Sequence, residues 1–133
     1  MHIPTLYAAS ALAFLALDAV MLRAVLQPLF QRHLGDMLAS PIDLTAAILF
    51  YLTYIAGIVW FAGLPGWREG SVATALLNGA ALGAMAYGTY ELTNKATLRN
   101  WDWSMVAVDW AWGTVLTALT AAAGVWVARA VLS

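Results

Sequence analysis

The sequence predicts an all-α membrane protein, an integral bundle of four transmembrane helices. Composition is the first reason. Hydrophobic residues make up 63% of the 133-residue chain and charged residues 10%, against the roughly 25% charged expected of a soluble domain. A water-soluble chain of this length could not hide so much apolar surface, whereas lipid as solvent lets outward side chains be apolar too. The second reason is spacing: the apolar residues fall into four runs, each near the roughly 20 residues that cross a bilayer core. The third is sparseness of charge within those runs, so that each acid inside one becomes conspicuous.

The first span is expected from Pro4 to Leu26. Proline suits a helix's first turn, where its missing N–H costs nothing. The stretch lacks the basic leader of a secretory signal and continues past Asp18, so it reads as a retained span. "QPLFQRHLGDMLASPID" follows as a polar connection with room for a short interfacial helix. The second span runs from Leu44 to Leu64, with Asp43 placed to cap its start. "PGWREGS" reads as a tight turn. The third span covers Val72 to Leu92 and the fourth Met105 to Leu132, joined by "TNKATLRNWDWS". The whole chain is one membrane domain.

Four spans put both termini on one side. The first and third connections, with their flanks, hold Arg23, Arg32, Lys95 and Arg99, while the opposite side holds Arg68 and Arg129. Basic residues favour the cytoplasm, so the termini are expected outside, in the periplasm of a bacterial inner membrane. In the third span, Gly79 and Gly83, then Ala84 and Gly88, stand four apart. That spacing lets helix backbones approach closely, inside one bundle or between two copies in a homo-oligomer. Trp60, Trp67, Trp101, Trp103 and Trp126 lie near span ends, where indoles sit among lipid headgroups.

The net charge of −1 argues against nucleic acid, which needs a basic face. Without cysteine there is no disulfide, thiolate metal site or thiol nucleophile. No Gly-x-Ser-x-Gly, His-Glu-x-x-His or phosphate-cradling loop occurs, so no metal site is assigned and no cofactor is named. His33 reads more readily as an interfacial polar residue than as a base or ligand.

The chemistry is concentrated in the acids. Asp18 sits about nine residues, or about 13 Å of helix, inside the first span. There it must face the interior, pair, or stay protonated, and it serves either as helix glue or as a functional group. Glu91 closes the third span with Lys95 four residues on, the favourable order for an ion pair. Tyr87, Tyr90, Glu91, Asn94 and Thr97 make a denser polar group than a helix end needs, with Thr93 among them. Asp109 and Trp112 on the fourth span are placed to face them, because a short loop makes those helices antiparallel neighbours. Arg23 is a candidate partner for an acid, although not for Asp18 along the same helix. The expected site thus comprises Asp18, Tyr87, Tyr90, Glu91, Asn94, Lys95, Asp109 and Trp112, with Arg23, His33, Asp43, Thr93 and Thr97 secondary.

The stretches "LALDAVML", "FQRHLG", "ILFYLTYIAGIVWFA", "YGTYELTNKATLRNW" and "VDWAWGTVLTA" resemble a family of small predicted bacterial inner-membrane proteins of unknown function. That family carries a tyrosine-acid-Leu-Thr-Asn-x-Ala-Thr-Leu stretch before a tryptophan, and Asp-x-Ala-Trp-Gly in its last span. By position the pattern falls on Asp18, His33, Tyr90, Glu91, Thr93, Asn94, Thr97, Asp109 and Trp112, with aspartate common where Glu91 stands here. The resemblance implies four spans and supplies no reaction. Three readings stay open: a small-solute or proton-coupled transporter built on the buried acids; a membrane enzyme or enzyme subunit acting on a lipid or quinone-like molecule; and a structural or assembly partner.

Overall fold

The computed structural model describes residues 1–35 and 43–132. The described residues form four long helices and no strand. Helix α1 (His2–Met21) passes through a π-helical turn (Leu22–Leu26) into α2 (Gln27–Leu34). Helix α3 (Leu44–Ile58) passes through a second π-helical turn (Val59–Gly63) into α4 (Leu64–Glu69). Helices α5 (Val72–Thr97) and α6 (Trp103–Leu132) complete the chain. The continuous helices His2–Leu34, Leu44–Glu69 and Trp103–Leu132 are long and apolar enough to cross a membrane. At 26 residues, or about 39 Å, α5 has the length, but it carries Asn78, Glu91, Asn94 and Lys95.

Each π turn has a cause two residues beyond its end. Pro28 follows the first and Pro65 the second. A proline cannot donate to the carbonyl four residues back, and its ring crowds that carbonyl. The chain relieves the crowding by widening one turn, so the Gln27 N–H bonds the Leu22 carbonyl and the Leu64 N–H bonds the Val59 carbonyl, five residues back each time. At Pro65 the orphaned acceptor is the Phe61 carbonyl, and Asn78 Nδ2 from α5 donates to it at 3.2 Å. Loss of that bond should matter only while the proline is present. Asn78→Leu is expected to lower unfolding free energy by about 1 kcal/mol, and Pro65→Ala to abolish the difference. A thermal-denaturation cycle in detergent checks this; equal costs in both backgrounds would contradict it.

The helices overrun the expected spans. The segment "PGWREGS" is mostly helical. The second helix passes through Pro65 to Glu69, and the turn is confined to Gly70, in the left-handed region (φ 62), and Ser71, whose hydroxyl accepts from Thr74 N at 3.0 Å. Helix α5 continues beyond Leu92 to Thr97, which leaves Leu98–Asp102 as the connection to α6. Asp43 caps α3 by accepting from Ala46 N at 3.2 Å.

Helix α6 is the axis of the bundle. Met105, Leu116, Ala121, Val125 and Ala128 on it are fully buried, and Leu6, Phe14 and Ile58 pack there from α1 and α3. The glycine stripe of α5 lies on α6: a methyl group at Gly79 would stand 2.8 Å from the Thr117 carbonyl, and one at Gly83 2.6 Å from the Gly113 carbonyl. Gly88 makes room for the Trp110 ring, whose Nε1 donates to the Ala84 carbonyl at 2.9 Å. The small residues are therefore used within the chain. Outside, Leu12, Val20, Leu77 and Met85 are each about 70% exposed, while Ser10, Glu91, Thr117 and Thr120 are fully buried. Apolar side chains outward and polar ones inward is the distribution that hydrocarbon selects.

Candidate functional site

The Asp18 carboxyl lies where α1, α3 and α6 meet. Asp18 sits on α1 one turn beyond Phe14 and is partly buried. Its Oδ2 accepts from the Tyr51 hydroxyl of α3 at 3.0 Å, and its Oδ1 from Trp112 Nε1 of α6 at 3.4 Å. No cation pairs with it among the described residues. Tyr54, three residues beyond Tyr51 and so on the same helix face, shares a 2.7 Å hydrogen bond with Thr117 of α6. Its ring meets Tyr87 of α5 edge-on at 5.9 Å. Phe14 and Phe50 close the aromatic wall: Phe14 is edge-on to both tyrosines at 5.5 and 5.8 Å, and Phe50 stacks on Tyr54 at 5.5 Å. Tyr87 lies flush against Gly113, whose missing side chain leaves space for the ring.

Glu91 and Asp109 form the second half. Glu91 is 0% exposed and Asp109 6%. Trp101 Nε1 donates to Glu91 Oε1 at 2.9 Å, while Oε2 meets no N–H or O–H donor among the described residues. Gly88 packs on Trp110, which brings Asp109 to the Glu91 end of α5; two carboxyls there bond each other only through a proton that one of them holds.

At the loop end lies a separate polar contact. Ser104 donates its backbone N–H at 2.9 Å and its hydroxyl to Asp102 Oδ2. His33 Nε2 of α2 stands 3.4 Å from Ser104 Oγ and 4.0 Å from Asp102 Oδ2. The Ser104 hydroxyl and then its N–H, with His33 and Lys95 adding charge, hold the exposed Asp102 carboxyl below its ordinary range. A depressed folded value stabilises the start of α6 above the ordinary carboxylate range, and that contribution is lost as pH falls through the folded value. Ser104→Ala is expected to move the Asp102 titration upward in a carboxyl-carbon NMR titration. An unmoved titration would discard the Ser104 hydroxyl as its cause.

Residues 3–126 match the family described as "Predicted membrane protein (DUF2177)". The chain belongs to that family. The matched region contains every carboxyl and aromatic of the cluster. No curated protein and no solved structure matches the chain.

Several expected site residues stand elsewhere. Lys95 does not pair with Glu91: Glu91 turns inward to Trp101, while Lys95 reaches the rim, its Nζ 5.2 Å from the Trp103 ring centre. Four residues along a helix is a rotation of about 40°, enough here to separate a buried side chain from a rim one. Tyr90 is half exposed, with its ring edge-on to Trp101 at 5.9 Å. Thr93 is exposed and its carbonyl accepts from Thr97 at 2.8 Å. Arg23 is exposed and has no ion-pair partner among the described residues. Asp43 remains at the exposed start of α3. Trp101, expected in the headgroup zone, is 6% exposed and serves Glu91 instead. Among the described residues no three of His, Asp and Glu converge on a metal-binding arrangement.

Sequence reasoning missed Tyr51, Tyr54, Thr117 and Trp101 as members of the site. One signal was present. "YLTY" puts two phenols three apart on one face of an otherwise apolar helix, and a phenol in hydrocarbon needs a hydrogen-bond partner.

Proposed function

We propose that the protein is a proton-coupled carrier of a small solute, crossing the membrane four times with Asp18, Glu91 and Asp109 as its working groups. One observation supports this above the rest: Glu91 and Asp109, on the neighbouring helices α5 and α6, are both buried, and no cation pairs with either among the described residues. Two neighbouring carboxyls in such a place resist carrying two charges. At 4 Å, two unit charges repel by about 4 kcal/mol even at an effective dielectric constant of 20. Release of the shared proton therefore calls for a compensating positive charge, and return of the proton expels it. That reciprocity is what couples a proton to a solute.

The enzyme reading has less support. Tyr90, one of the residues it needs to orient a substrate, is half exposed, with its ring edge-on to Trp101.

The test is flux. Purified protein in liposomes with a trapped pH dye is given a proton gradient and a panel of cationic, zwitterionic and anionic solutes. Solute-dependent proton movement is expected, reduced at least about 10-fold by Asp18→Asn, as a lost intramembrane charge demands. Absence of proton movement with every solute class ends the reading. Wild-type rates in Asp18→Asn remove that residue from it.

A further inference from the structure

We infer that the solute is an organic cation, a positively charged nitrogen or phosphorus centre carrying an apolar body, bound at Asp18 between α1 and α3. This rests on the carrier reading and names the substrate of the same site. Three features of the Asp18 surroundings converge on it.

The first is charge. Asp18 is met by two neutral donors, the Tyr51 hydroxyl and the Trp112 indole N–H, and by no cation among the described residues. Both oxygens are thus held in a fixed direction while the position of a counter-charge is left to something else. A built ion pair would have closed the site, because a carboxylate paired with a resident arginine leaves nothing for a solute to neutralise.

The second is the wall. Phe14, Phe50, Tyr51 and Tyr54 form a continuous set of edge-on and stacked rings beside Asp18, at centroid separations of 5.4 to 5.8 Å. Aromatic faces attract a desolvated cation through their quadrupole, and they do so for alkylated ammonium groups that cannot donate hydrogen bonds. An anion meets the same faces unfavourably. A neutral polar solute would find both hydroxyls of this wall already engaged, Tyr51's by Asp18 and Tyr54's by Thr117.

The third is access. Asp18 and Tyr51 are only partly buried, and Leu15 and Phe50 next to them are 47% and 48% exposed. The carboxyl therefore communicates with the outer surface of the bundle through an apolar rim. A solute arriving from that side is favoured if its body is itself apolar. A compact hydrated cation such as sodium has no oxygen cage there, since the described residues around Asp18 present one carboxyl and rings.

Equilibrium dialysis in detergent, with radiolabelled tetraphenylphosphonium as the probe and tetraphenylborate as an anion of the same shape, tests the assignment. The phosphonium is expected to bind at one site per chain and the borate not. Asp18→Asn should weaken the phosphonium at least about 30-fold, and Asp18→Glu should recover most of it, as expected of a charge contact. Tyr51→Phe, which removes the hydroxyl that orients Asp18, should weaken binding, and Tyr51→Leu, which removes the ring as well, should weaken it about 10-fold further, the signature of a ring face beyond the hydrogen bond. Circular dichroism and gel filtration of each variant separate weakened binding from unfolding. Equal binding of both probes, or of phosphonium to wild type and a folded Asp18→Asn alike, overturns the assignment. So does proton flux in liposomes with anionic or zwitterionic solutes alone, an outcome that leaves the carrier reading standing. Phosphonium binding with the expected variant pattern but no proton flux fails the carrier reading and keeps the cation site.

Discussion

Gly113→Val is expected to unfold the α5–α6 pairing. A Cβ at this position falls on the ring of Tyr87, meeting three of its carbons. The ring cannot yield cheaply: it lies edge-on to Tyr54, which is fixed in turn by Thr117. Nor can the helices part locally, because Gly83 brings α5 equally close to the Gly113 carbonyl. Overpacking of this kind costs typically 1–3 kcal/mol and more when the surroundings are rigid. For Gly113→Val we expect about 3 kcal/mol or more, seen as a large drop in melting temperature in detergent and loss of monodisperse protein. Adding Tyr87→Ala should restore part of the loss, because it removes the struck ring. A Gly113→Val protein that melts like wild type would contradict the contact itself.

The second large effect is on flux. Glu91→Gln and Asp109→Asn should each lower proton movement at least about 100-fold, and the double variant should be no worse than either single one, because groups that act as a unit fail non-additively. Glu91→Gln should fold well, since the amide oxygen can still accept from Trp101 Nε1. Trp101→Phe is the informative companion. It removes the Trp101 N–H, the one N–H donor to the Glu91 side chain among the described residues, and leaves the acid buried without it, a cost of about 1–3 kcal/mol or more. Additive losses in flux for the two acids, each near 10-fold, would mean two independent sites rather than a pair.

Much of this fold and part of this site could be read from the residues, and the division has physical reasons. Asp18, Glu91 and Asp109 stand out because a carboxyl in hydrocarbon is expensive, so its presence inside an apolar run already asks for a partner. The glycine stripe was legible for the same kind of reason: small residues four apart do nothing for a helix alone. The aromatic members were not. Tyr51 and Tyr54 lie inside an apolar run and add to the hydropathy that marks a span. Trp101 follows the rule for tryptophans near span ends, until Asn100 takes a left-handed backbone (φ 65) that asparagine tolerates, and the next side chain is buried. The Glu91–Lys95 spacing satisfies the one-turn rule, yet that rule describes helices in water, and here one partner prefers an indole in the interior. Pro65 read as the end of a helix. It is an interior residue because a widened turn and the Asn78 amide absorb its two defects.

The five-residue loop Leu98–Asp102 has a consequence for how the chain is made. Helix α5 carries Asn78, Glu91, Asn94 and Lys95 and lies outside the set of segments apolar enough to partition by themselves. It can reside in the bilayer only if its glycine face and its acid are covered as it enters. The surface that covers the glycine face is α6, emerging next from the ribosome and tethered too closely to miss, and the loop between them brings Trp101 to the acid. During biosynthesis the two must therefore be released from the translocation machinery together, as a hairpin, and a spacer inserted at Asn100 would strand the first of them in water.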